Sequence, residues 1–167
     1  SKMKVILIGP PGSGKSTIGK LLARRLQVEH LDSDSAIESQ AGKKISDIFL
    51  EDGEPRFREI ERDLVLKLLK NESSVISLGG GSILDSEVAK VIEGEKNVVY
   101  LEVSISNAAP RVGFNTDRPL LIANPRQQWL RLFGERKALY EKLGKIRIST
   151  DNQKPKEVVE NIVMALS

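Results

Sequence analysis

Apolar residues along this chain switch between a strand-like and a helix-like rhythm. Five short strand-like runs stand out: Val5–Ile8, Val28–Leu31, Val75–Leu78, Val98–Glu102 and Ile146–Ser149. Between them the apolar positions take helical spacing. After Thr17, residues Ile18, Leu21, Leu22 and Leu26 share one face, and Phe57, Ile60, Leu64 and Leu68 repeat the pattern. Pro155 stands at the first position of the last helix, where its missing N–H costs nothing. This alternation predicts an α/β fold, a parallel sheet with helices on both faces and ligands at the carboxyl ends of the strands.

Two segments break the rhythm. From Asp32 to about Asn71 the chain reads as wholly helical, more than one crossover needs, and so is expected to wall the ligand site. Between Val112 and the helix around Trp129, residues 113–125 hold turn formers, two prolines and one arginine without a clear period. A loop of that length in a compact domain is usually functional, and this one reads as a mobile lid over about 112–125.

The first chemical signal lies between the first strand and the first helix. Gly9-Pro-Pro-Gly12-Ser13-Gly14-Lys15-Ser16 fits G-x-x-x-x-G-K-[ST], the phosphate-binding P-loop, with both flanks correct. Its glycines let backbone N–H groups converge on phosphate oxygens. In such a loop the lysine, here Lys15, reaches the β- and γ-phosphates, and the hydroxyl of Ser16 ligates Mg²⁺. Gly12, Ser13, Gly14 and Thr17 complete the expected nucleotide-binding set.

Composition narrows the partners. At 167 residues the chain is one domain, spanning 1–167. The net charge of +3 carries no long basic run, and aromatics are only 4%, which argues against a nucleic-acid stacking platform. With no cysteine, thiol catalysis and thiolate metal sites are excluded, and the single His30 excludes a multi-histidine metal centre. No apolar run reaches membrane-spanning length, and the expectation is a cytoplasmic protein with no membrane partner.

Further candidates fall after strand ends. Asp32-Ser33-Asp34 suits a division of labour, with Asp32 holding Mg²⁺ through water and Asp34 accepting a proton from an attacking hydroxyl. By itself such a pair more often caps a helix; after a strand in a P-loop chain the functional reading is favoured. Arg58 can pair with Glu54 or Glu61 on its own helix, or be oriented by Glu61 toward a ligand carboxylate. Gly79-Gly80-Gly81 permits close backbone approach to a ligand. Arg118 in the lid could stabilise transferring charge, whereas Arg136, among many charges, reads from its own helix as part of a solvated face. Val98–Glu102 resembles a Walker B strand, but a buried strand with a polar end explains it as well.

Taken together, in order and spacing, these pieces resemble a shikimate kinase over essentially the whole length. The resemblance rests on Gly9–Ser16, Asp32-Ser-Asp34, Phe57-Arg58 with Glu61, Gly79–Gly81, Arg118-Pro-Leu-Leu121, and Arg136 before Leu139-Tyr140. It implies a three-layer α/β/α P-loop fold with a five-stranded parallel sheet in the order 2-3-1-4-5, and 32–71 as the acceptor-binding region. It implies transfer of the ATP γ-phosphate to the 3-hydroxyl of shikimate, on the route to aromatic amino acids, by a monomer. Arg58 and Arg136 would then take the shikimate carboxylate, Gly80 and its neighbours Gly79 and Gly81 would line the ligand, and Asp34 would take ring hydroxyls. Phe49 and Phe57 would pack on the ring. Lys15 and Arg118 would hold the transferring group, Ser16 would ligate Mg²⁺ with Asp32 behind it, and Arg111 and Pro155 would sandwich adenine. Pro110 before Arg111 and the bulky Phe114 depart from the family's pattern.

Two other readings compete. A gluconate or nucleoside monophosphate kinase would share the fold but needs a different acceptor pocket. A P-loop regulatory or motor module would hydrolyse nucleotide for a partner, but the chain has no N-K-x-D guanine motif and no basic stripe.

Overall fold

In the computed structural model, which describes residues 2–104, 107 and 124–167, the five strands form one fully parallel sheet in the order β2-β3-β1-β4-β5. They are β1 (Lys4–Ile8), β2 (Glu29–Asp32), β3 (Ser74–Ser77), β4 (Val98–Glu102) and β5 (Ile146–Ser149). The register sets Ile6 of β1 opposite Ile76 of β3 and Val98 of β4, so the middle of the sheet is apolar on both faces.

Strand alternation sorts the core into two layers. Val5, Leu7, Val75, Val99 and Leu101 face α1 (Lys15–Leu26), through Ile18 and Leu22, and α6 (Pro155–Ala165), through Val158 and Ile162. Ile6, Ile8, Ile76, Val98 and Tyr100 face the other way. They meet Val65 of α3 (Ile45–Leu68), Val88 and Ile92 of α4 (Ser86–Glu93), and Tyr140 and Leu143 of α5 (Pro125–Leu143). A satellite core of Ile37, Ile45, Ile48 and Phe57 joins α2 (Ser33–Ala41) to α3 beyond the sheet edge.

This topology places the site. Strands β1 and β3 are neighbours, yet α1 leaves β1 toward one face and the chain after β3 leaves toward the other. The connections diverge and open a crevice at the carboxyl ends of the strands.

Local physics adjusts the expected boundaries. Val28 does not open β2: its N–H closes α1 by donating to Ala23 O (2.9 Å), behind Gln27 at φ 58°. The 32–71 region is not one helical stretch. Gly42, at φ 71°, ends α2, and Gly53, at φ 83°, kinks α3 two residues before Pro55. Most of the expected lid, with Pro110, Arg111, Phe114 and Arg118, lies outside the described residues. Its last two residues begin α5: Asn124 caps the helix and Pro125 takes its first position. Among the described residues no helix is long and apolar enough to cross a membrane.

Candidate phosphoryl-transfer site

The P-loop closes over its own backbone. Gly9 lies so near β4 that a Cβ would come within 2.7 Å of Leu101 O, and Gly14 caps α1 at φ 87°. Both positions therefore require glycine. Lys15 arches back over the loop, donating from Nζ to Gly9 O (2.7 Å) and Pro10 O (3.0 Å). Its ammonium thus stands over the N-terminus of α1, whose first turn holds no acidic residue. The helix dipole and a cation converge there, an arrangement suited to phosphate.

Asp32 takes the capping role weighed for it and also contacts the P-loop helix. Oδ1 accepts from Ser35 N (3.0 Å) and caps α2, while Oδ2 accepts from the Ser16 hydroxyl. Capping and the contact with the P-loop helix are one arrangement, because the cap fixes the carboxylate that Ser16 reaches. Asp34 follows in the first turn of α2 with its Oδ1 buried.

The three glycines after β3 form the hub of the other half. A Cβ on Gly81 would lie 2.5 Å from Nη1 of Arg58, and one on Gly80 would lie 3.1 Å from Pro11 Cδ and 3.2 Å from Nη1 of Arg136. The absence of side chains lets two guanidinium groups and the P-loop approach one strip of backbone. Arg58 donates to Glu61 Oε1 (2.7 Å), and Ser82 donates to Glu61 Oε2 (3.1 Å), so a carboxylate only 3% exposed is held by two donors. The Arg58 guanidinium also lies 5.2 Å from the ring centre of Phe57, which packs against Phe49 at 4.8 Å.

Arg136 departs from the reading of its helix as a solvated face. It is 4% exposed, and among the described residues its Nε has no hydrogen-bond partner. The burial follows from Tyr140, one turn along α5. Its ring stacks on Tyr100 in the sheet core at 5.3 Å, and its hydroxyl donates to Gly80 O (2.6 Å). With Tyr140 so fixed, position 136 points to the same hub.

On the far side of the P-loop a cavity of about 280 Å³ opens between Ser13 and Thr17 on one wall and Thr150, Gln153, Pro155 and Val158 on the other. Among the described residues no group of three or more His, Cys, Asp or Glu side chains is placed to hold a metal ion.

Several polar residues escaped the reading by motif. Ser33 accepts from Gly79 N (2.8 Å), and Ser77 donates to Lys15 O (2.8 Å) while contacting Nε2 of His30 (2.9 Å). Each sits within two residues of a recognised motif, and that proximity was the only signal available.

A chain-wide comparison agrees with the geometry. A family model described as "Shikimate kinase" matches residues 11–167. A shikimate kinase of Thermobifida fusca is 46% identical over 166 residues, covering 99% of this chain and 96% of that protein. One from Rhodococcus jostii is 43% identical over 165 residues, covering 98% of each. A solved structure of the Acinetobacter baumannii shikimate kinase in complex with shikimate matches with a TM-score of 0.93 at 32% identity, over 97% of this chain and 91% of that one.

The half-buried His30 yields a pH prediction. Burial lowers its pKa below the ordinary value of about 6.5; Asp32 opposes this, and Lys20 adds to the lowering. Below that value the unfolded chain binds the proton more readily than the folded one, so folding loses stability as pH falls. Urea unfolding between pH 7.5 and 5 should show this loss, and His30→Gln, which keeps a donor but cannot titrate, should reduce the slope.

Proposed function

The chain belongs to the shikimate kinase family of ATP-dependent phosphotransferases, and on that premise we propose how its own residues divide the reaction. The observation that carries the assignment is the glycine hub, which Arg58 and Arg136 both approach and where Arg58 is held by the buried carboxylate of Glu61. Among the described residues, two guanidinium groups, one of them buried, stand at this strip with the carboxylate of Glu61 bonded to Arg58. A ligand carboxylate would pair with them, and Arg can grip such a group through two parallel N–H donors. Shikimate supplies that carboxylate on a ring whose hydroxyls Asp34 can receive, with Phe49 and Phe57 beside it.

On the donor side the P-loop N–H groups and Lys15 take the phosphates of ATP, and the cavity bounded by Thr150, Gln153 and Pro155 accepts adenine. Arg111 is proposed on the other side of adenine, and Arg118 over the transferring group. The hydroxyl of Ser16 against Asp32 presents hard oxygen donors that fit Mg²⁺, directly at Ser16 and through water at Asp32. Bound there, Mg²⁺ would neutralise charge on the β- and γ-phosphate oxygens.

In the reaction, the 3-hydroxyl oxygen of shikimate forms a bond to the γ-phosphorus as the bond to the β,γ-bridging oxygen breaks. Asp34 orients that hydroxyl and receives its proton. Lys15 leaves its loop carbonyls for the γ-phosphate and follows the developing charge onto the ADP oxygens. The protein forms no covalent bond, so its contribution is positioning and charge.

The test of the whole reading is ADP release from Mg·ATP with shikimate, with gluconate, with AMP and with no acceptor. Strong stimulation by shikimate alone is expected. Stimulation by another acceptor would overturn the carboxylate pocket, and equal release without acceptor would favour a regulatory NTPase. Asp34→Asn should lower turnover by about 10²- to 10⁴-fold while ATP binding, followed by calorimetry, stays the same. Arg136→Ala should raise the KM for shikimate by at least about 30-fold, roughly 2 kcal/mol, and leave the KM for ATP within about twofold. Equal loss for both substrates would remove Arg136 from the acceptor pocket.

A further inference from the structure

Strand β3 ends in a pair of hydroxyl contacts that face opposite halves of the site. Upstream of the glycines, Ser77 donates its only O–H to the main-chain carbonyl of Lys15 at 2.8 Å. With that proton committed, Ser77 Oγ must accept from His30, so the imidazole carries its proton on Nε2 (2.9 Å). Downstream, the N–H of Gly79 donates to the hydroxyl of Ser33 at 2.8 Å, and Ser33 is fully buried between Asp32 and Asp34. One contact therefore grips the residue whose ammonium takes the γ-phosphate. The other ties the glycine strip to the start of α2, which carries Asp34, the carboxylate that receives the acceptor's hydroxyl.

Helix α1 has given up a side chain to make the first contact. A Cβ on Gly19 would lie 2.3 Å from Ser77 Oγ and 2.5 Å from His30 Nε2. Glycine inside a helix is unfavourable by roughly 0.5–1 kcal/mol relative to alanine. Its presence here lets the helix lie directly on the Ser77–His30 pair. The pair is thus part of how α1 seats on β2 and β3.

We propose that Ser77, held by His30, and Ser33 are positioning residues that set the donor and acceptor halves of the site in register from the end of β3. The proposal rests on the division of roles given above. Neither serine is needed to touch a substrate. Ser77 fixes the backbone from which Lys15 projects, and Ser33 fixes the start of α2, from which Asp34 projects. A misplacement of about 1 Å at a reacting group can cost as much as 10²-fold. Loss of either contact should therefore show in the kinetics of the half that it holds.

The test is a crossed kinetic comparison in the full chain, with ATP and shikimate each varied at saturation of the other. Ser77→Ala is expected to raise the KM for ATP several-fold and leave that for shikimate within about twofold. Ser33→Ala is expected to do the reverse. Both should lower kcat, by about 10-fold or more. Ser33→Thr, which keeps the hydroxyl, should restore the shikimate KM, and Ser77→Cys, with a weak donor in place of a strong one, should fall between wild type and Ala. Melting temperatures identify variants that fail to fold, and for those the Thr and Cys variants decide. Lower melting temperatures with unchanged KM values would make these contacts merely structural, and parallel changes in both KM values would remove the division between halves. Wild-type enzyme that does not respond to shikimate would instead overturn the functional reading beneath the proposal.

Discussion

The structure depends on how closely the backbone after β3 can be approached. Three consecutive residues without side chains lie where Pro11, Arg58 and Arg136 meet, and a single Cβ on Gly80 or Gly81 would occupy space those groups now fill. At Gly81 the guanidinium of Arg58 would have to move away, and at Gly80 Pro11 and Arg136 would have to give by a few tenths of an ångström. The P-loop, the long helix α3 and the late helix α5 come from distant parts of the chain, and they share this strip of main chain as a common reference. Two arginines are brought there because the geometry permits it, and the buried carboxylate of Glu61 pairs with Arg58.

Bringing two guanidinium groups to one strip of backbone has a cost, and the surrounding architecture offsets it. A buried guanidinium loses its hydration and recovers it only through partners. Arg58 has recovered some, through Glu61 and the face of Phe57. Arg136 is more deeply buried, and its Nε has no partner among the described residues. The cost is met by the rest of the fold, where two continuous apolar layers cover both faces of the sheet.

Much of this was legible in the sequence, and the unequal legibility has physical causes. The P-loop reads directly because its fixed glycines answer to local dihedral demands, as at Gly14. The strands read because burial on both faces leaves continuous apolar runs such as Val5–Ile8. Val28 was misplaced by one residue because the closing turn of α1 and the start of β2 compete for the same backbone. Gly42 and Gly53 were visible as glycines, but whether a helix tolerates one or breaks at it depends on the packing around it. Arg136 was the least legible of the site residues. Its immediate helix neighbours are charged, and Tyr140, one turn on, is fixed by Tyr100 and by the carbonyl of Gly80, both far earlier in the chain.

Helix α5 shows how core and site become one structure. Tyr140 has its ring in the sheet core against Tyr100 and its hydroxyl on Gly80 O. Its polar end is thus satisfied at the edge of the site, as a buried tyrosine requires. Arg136 lies one turn earlier on the same face, the spacing that makes side chains neighbours along a helix. Its guanidinium is therefore placed by packing that extends to the centre of the sheet, and no surface loop is needed to hold it. The glycine that admits Arg136 is also the residue whose carbonyl anchors Tyr140. A shift of the sheet beneath α5 must then move the arginine and the glycine strip together, which preserves their spacing. The placement of Arg136 against the glycine strip is in this way a property of the folded core.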